Sequence, residues 1–149
     1  MFVIDTNVLL YAADERSEFH APCRDLLEQA RSGSAPWFLT WGIAYEFLRV
    51  ATHPRVYARP WSAAEAHGFL DAAMRAPSAR LLTPSERHAD VLAQCLAELP
   101  ETRGNLIHDL HTAALMREHG ISRIVTRDRD FHQFHFLTVV DPLRARPLP

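Results

Sequence analysis

The stretch "MFVIDTNVLLYAAD" at residues 1–14 decides the fold. Phe2, Val3 and Ile4 read as a short buried strand, because β-branched and aromatic residues favour extended structure. Asp5 ends that strand, and Asp5 or Thr6 caps a short helix over "NVLLYAA" at 7–13. A carboxylate set between two apolar runs costs free energy unless something compensates it. What Asp5 meets is therefore the question for the remaining residues.

Outward from this unit the same alternation continues. "SEFHAPCRDLLEQARSG" (17–33) reads as a helix with Pro22 tolerated in its first turn and Gly33 as its stop. "WFLT" (37–40) is a strand, followed by a helix over 41–53 that Pro54 terminates. "RVYARPW" (55–61) is a loop, and the helix over 62–76 opens with Ser62 and Glu65 at capping-box spacing. "ARLLT" (79–83) is a strand, 85–100 a helix closed by Pro100, and 105–120 a periodic helix stopped by Gly120. "RIVT" (123–126) and "LTVV" (137–140) complete the strands. Strands separated by helices predict an α/β sandwich, a mainly parallel central sheet flanked by helices. A length of 149 residues with no repeat or linker predicts one domain over residues 1–149.

Composition excludes several classes. No run of 18 apolar residues marks a membrane span, and a strand beginning at Phe2 leaves no room for a cleavable signal, so a cytoplasmic protein is expected. Cys23 and Cys95 are expected as buried free thiols in a reducing cytosol. The formal charge of −2 does not advertise a polyanion partner. All 16 basic residues are arginine. Mechanisms that need a lysine, such as those of haloacid-dehalogenase-like phosphatases and phospho-receiver domains, are thereby ruled out.

Four acids carry the chemistry. Asp5 and Asp128 follow strands, at the rim where open parallel sheets bind ligands. Glu46 lies among Ile43, Phe47 and Val50, and Asp109 among Leu106, Leu110, Ala113 and Met116, each on or beside an apolar helix stripe. Each has a plainer explanation: a helix cap for Asp5, a pair with Arg49 for Glu46, an arginine across the core for Asp109, a turn in "TRDRDF" for Asp128. Together, at one end of one sheet, they suit a hard divalent cation of the magnesium or manganese type. Such an ion activates water and stabilises the leaving oxygen of a phosphodiester. "LRVATHPRVYARPW" (48–61) interleaves Arg49, Arg55 and Arg59 with Tyr57 and Trp61, a pattern for holding phosphate and stacking bases. The two aromatics equally suit packing at a dimer interface or beneath the loop. "HDLH" (108–111) does not make a His-Asp phosphohydrolase, because His108 and Asp109 point about 100° apart on a helix.

"VIDTNVLLYA", "YEFLRV", "HDLHTAALMREHGI" and "IVTRDRDF" resemble, in order, the four acidic motifs of PIN-domain ribonucleases, in particular bacterial VapC toxins of toxin–antitoxin systems. The resemblance implies a PIN-like three-layer sandwich and a Mg2+- or Mn2+-dependent endoribonuclease that cuts structured RNA such as tRNA or rRNA. It further implies neutralisation by a VapB-like antitoxin and assembly as a homodimer. Asp5, Glu46, Asp109 and Asp128 would form the acidic quartet, with Asp5 and Asp109 in direct metal contact. Asn7 and Thr126 would orient carboxylates and water. Asp130 is able to substitute for Asp128, although the family pattern favours Asp128. Arg127 and Arg129 suit RNA, an antitoxin carboxylate or local charge balance. The competing expectation is a catalytically inactive PIN-like module that binds RNA or protein.

Overall fold

The apolar runs pair as five parallel strands: β1 (Phe2–Ile4), β2 (Trp37–Thr40), β3 (Ala79–Leu82), β4 (Arg123–Val125) and β5 (Thr138–Val140). The computed structural model describes residues 1–57 and 59–144. Ala58 of the expected 55–61 loop and the last five residues of the expected 1–149 domain lie outside the described residues. The strand order is β3-β2-β1-β4-β5, which puts β1 at the centre. Val3 pairs with Phe38 on one side and Ile124 on the other. Phe2, Val3 and Ile4 are all buried, as expected of a central parallel strand covered on both faces.

Among the described residues six α-helices connect the strands: α1 (Thr6–Ala13), α2 (His20–Ser32), α3 (Trp41–Ala51), α4 (Ala63–Met74), α5 (His88–Glu98) and α6 (Leu106–Glu118). The steps β1 to β2 and β2 to β3 run in the same direction, so right-handed crossovers put α1 to α4 on one face. From β3 the chain returns across the sheet to β4, which puts α5 and α6 on the other. The packing agrees: α1 touches α2 and α3, whereas α5 packs on α6. The result is the expected three-layer α/β sandwich. Its direction reverses between β1 and β4, and the crevice beyond their carboxyl ends is where such sheets bind ligands.

Local chemistry sets the helix ends. The Asp5 carboxylate accepts from Thr6 N–H at 2.7 Å, and Thr40 Oγ1 accepts from Ile43 N–H at 3.1 Å. The Ser62–Glu65 capping box forms as expected. Gly120, at φ +67°, lets the chain turn after α6 so that Ile121 N–H reaches Met116 O at 2.8 Å. Two helices start later than the sequence predicts. Ser17 to Phe19 form a turn instead of helix, with Ser17 Oγ accepting from Phe19 N–H, so α2 begins at His20. Ser85 N–H is taken by the Glu118 carboxylate, which also pairs with His88 Nδ1 at 2.8 Å, so α5 begins at His88. The periodicity expected of α6 gives way to burial nearly all round, with Thr112 to Met116 consecutively buried. Its first turn, which carries Asp109, reaches the surface, as in part do His111 and the last turn at Arg117 and Glu118.

Cys23 and Cys95 are buried free thiols. No helix among the described residues is long and apolar enough to cross a membrane.

Candidate active site

Asp5 leaves β1 with its main chain still paired, its N–H donating to Val125 O at 3.1 Å. Its side chain is 7% exposed. Oδ1 accepts from Thr6 N–H; Oδ2 accepts from Thr126 Oγ1 at 2.6 Å and Asn7 Nδ2 at 2.5 Å. Thr126 Oγ1 in turn accepts from Asn7 Nδ2 at 2.8 Å and from Asp128 N–H at 2.9 Å. Asn7 Oδ1 accepts from Arg127 N–H at 3.2 Å, so one amide ties the turn after β1 to the turn after β4. The positions expected to orient carboxylates therefore form a lattice around Asp5.

Glu46 reaches the same place from α3. Its Oε2 accepts from Thr6 Oγ1 at 3.0 Å, while Oε1 faces Arg49 at 3.5 Å, a partly exposed pair worth little. Asp109 arrives from the first turn of α6 and has no hydrogen bond or ion pair among the described residues. Asp128 Oδ1 accepts from Asp130 N–H at 2.9 Å, which starts a short 3-10 helix over Asp130–Gln133. That turn sets Asp130 beside Asp128 at the exposed edge of the cluster. One carboxylate oxygen from each of Asp109, Asp128 and Asp130 lies within 4.8 Å of the others.

All four expected acids, with Asp130, line one open depression of about 680 Å3. Its rim adds Tyr45, Arg49, Asn105 and His108. Asn105 and His108 sit one turn or less from Asp109, and Tyr45 precedes Glu46; sequence spacing could have flagged them only after those acids had been placed. Arg49 lines the depression, but Arg55 and Arg59 do not. The chain turns at His53 to Tyr57 after α3, where Tyr57 N–H donates to His53 O, leaving Arg55 exposed. Arg59 lines a neighbouring groove of about 460 Å3 that meets the acid depression at Leu10. Trp61 packs edge-on against Phe47 and Phe69, which settles it as packing beneath the loop and not as a free stacking surface.

The electrostatics are those of carboxylates crowded together and partly shielded from water. Burial pushes the Asp5 carboxyl up to about 6, against the hydrogen bonds from Thr126 and Thr6, with Glu46 and Asp128 adding repulsion. Asp109 is pushed up to about 7, first by burial and then by the charges of Asp128, Asp5, Asp130 and Glu46. The donor set is all oxygen and Asp109 has no protein donor, so the residues fit a hard divalent cation.

Residues 2–137 match the model of the PIN domain family. Ribonuclease VapC37 of Mycobacterium tuberculosis is 40% identical over 134 residues, covering 90% of this chain and 92% of its own. Among solved structures, VapBC2 from Rickettsia felis, bound to a DNA fragment from its promoter, superposes with a TM-score of 0.65 at 15% identity, covering 93% and 96% of the two chains. The sarcin–ricin loop cleaving toxin VapC20 of Mycobacterium tuberculosis gives 0.60 at 20% identity, covering 89% and 93%.

Proposed function

The chain belongs to the PIN domain family, and on that premise we propose that it is a VapC-type endoribonuclease toxin. It hydrolyses phosphodiester bonds in structured RNA, of the tRNA or rRNA class, and is neutralised by a VapB-like antitoxin. The observation that carries this is the convergence of Asp5, Glu46, Asp109 and Asp128 on one depression at the reversal of the sheet.

Asp5 and Asp109 would hold a Mg2+ or Mn2+ ion directly, with Glu46 and Asp128 acting directly or through water and Asp130 beside them. When bound, such an ion polarises phosphate oxygens and lowers the pKa of attacking water. The protein supplies fixed geometry: Thr126, Asn7 and Thr6 hold Asp5 in one orientation, and Thr6 holds Glu46. Arg49, at the rim, offers a planar fork to a flanking phosphate. Arg59, in the adjoining groove, would meet RNA farther along. The adjacent exposed side chains of Trp41 and Tyr45 support a homodimer, and the two buried thiols suit a reducing cytoplasm.

An inactive binding module would have no need to gather five carboxylates, Asp109 among them without a partner in the described residues, into one depression. The test is incubation with total RNA and Mg2+ or Mn2+, with and without EDTA, beside Asp109→Asn. Metal-dependent fragments absent from the variant are expected. Intact RNA bound tightly by both proteins would favour the module.

A further inference from the structure

Asp128 belongs to two depressions. The second, about 580 Å3, opens toward β5 and is lined by Arg127, Arg129, His132, Asp141 and Arg144 as well as Asp128. The two differ in charge. Five carboxylates and one arginine line the first, whereas three arginines and two carboxylates line the second. A polyanion crossing Asp128 thus passes from repulsion, relieved only by a bound cation, to attraction.

One cation there is held ready and a second is free. Arg127 stacks its Cζ 3.9 Å above the centre of the Phe19 ring, with Nε 3.9 Å from Asp141 Oδ1 and its own N–H fixed by Asn7. A guanidinium already ordered loses less freedom on gripping a ligand. Arg129 is exposed and has no ion-pair partner among the described residues. It sits between Asp128 and Asp130, about 3.8 Å per residue step from each. His132 follows on the same 3-10 turn.

We propose that Arg127, Arg129 and His132 form a phosphate shelf that grips the RNA backbone next to the phosphate held over the acids. The proposal rests on the nuclease reading above. Contacts of this kind set the register of a strand and carry no sequence preference of their own. Arginine forks suit them because they meet phosphate oxygens two at a time.

The test uses a short fluorescein-labelled single-stranded RNA, titrated in Mg2+ buffer against the Asp109→Asn chain, which leaves the RNA uncut. Arg129→Ala is compared in that background over a series of salt concentrations. Arg75→Ala, at the exposed end of α4, serves as the control. Removing one phosphate contact should lower the slope of log Kd against log salt by about 0.7. Arg75→Ala should leave it unchanged. An unchanged slope for Arg129→Ala overturns the shelf. So does weakened binding of a polyglutamate peptide with RNA binding intact, which would assign the patch to an acidic protein partner. Cleavage of total RNA by the chain with Asp109 intact is scored separately. Cleavage with an unchanged slope sinks the shelf alone, and a lowered slope without cleavage supports the shelf while sinking the nuclease.

Discussion

Replacing Asp109 by asparagine should make the metal-free protein more stable. The carboxyl accepts no hydrogen bond among the described residues, so the substitution removes charge at little cost in contacts. In the folded chain its pKa rises from 3.8 to about 7. The folded state thus holds this proton more tightly than the unfolded chain. The resulting penalty is absent below pH 3.8, grows as pH rises, and is complete above about 7. A shift of this size corresponds to about 4 kcal/mol for a fully buried group. Asp109 is partly solvated, and screening reduces that to about 1–2 kcal/mol. For a chain of this length this is a rise in Tm of about 2–8 °C. Thermal melts of both proteins in EDTA should show the full gap at pH 8 and less than half of it at pH 5. Millimolar Mn2+ at pH 8 should close the gap by stabilising the wild type more than the variant. A variant that melts lower in EDTA at pH 8, or a gap of equal size at both pH values, would refute the electrostatic account of the depression.

Two further perturbations probe its support. Thr126→Val removes a hydroxyl that accepts from Asn7 and Asp128 and donates to Asp5; it should cost about 1–3 kcal/mol and lower RNA cleavage about 10–100-fold. Guanidinium unfolding alongside a cleavage time course checks both, and unaltered cleavage would show that Asp5 does not depend on this lattice. Phe47→Ala empties a fully buried site stacked 5.2 Å from Phe69 and next in sequence to Glu46, with an expected loss of about 3–5 kcal/mol in urea unfolding. A loss below about 1 kcal/mol would mean that α3 is not anchored through this ring.

Strand ends were readable in the sequence because β1 and β4 are covered on both faces, so Phe2–Ile4 and Ile124–Val125 are unbroken apolar runs and Asp5 marks where the run stops. Glu46 and Asp109 were readable as acids among apolar neighbours, and both line the depression. Asp130 was harder to place. The turn at Asp128 was readable, and its side chain does accept from the N–H two residues on; what the sequence left open was which of Asp128 and Asp130 it would bring to the cluster, and it brings both. Arg55 and Arg59 are a different case. They were singled out by composition, as arginines interleaved with aromatics in the 55–61 loop, and composition does not say which way a loop runs. After α3 ends at Ala51 the chain turns at His53 to Tyr57, so neither arginine lines the acid depression. The delayed start of α5 has a cause 33 residues distant, in the Glu118 carboxylate.

The hydrogen bonds that join Asn7 to Thr126 and Arg127 span nearly the whole chain. During synthesis, Asp5, Glu46 and Asp109 emerge first, and Asp5 has only its local bonds to Thr6 and Asn7 until the segment containing Thr126 has left the ribosome and β4 has docked beside β1. Such long-range pairing is also the slow kind. A chain that ends before Thr126 therefore lacks both the hydroxyl that braces Asp5 and the last acids of the pocket, so the charge cluster is completed only late in synthesis.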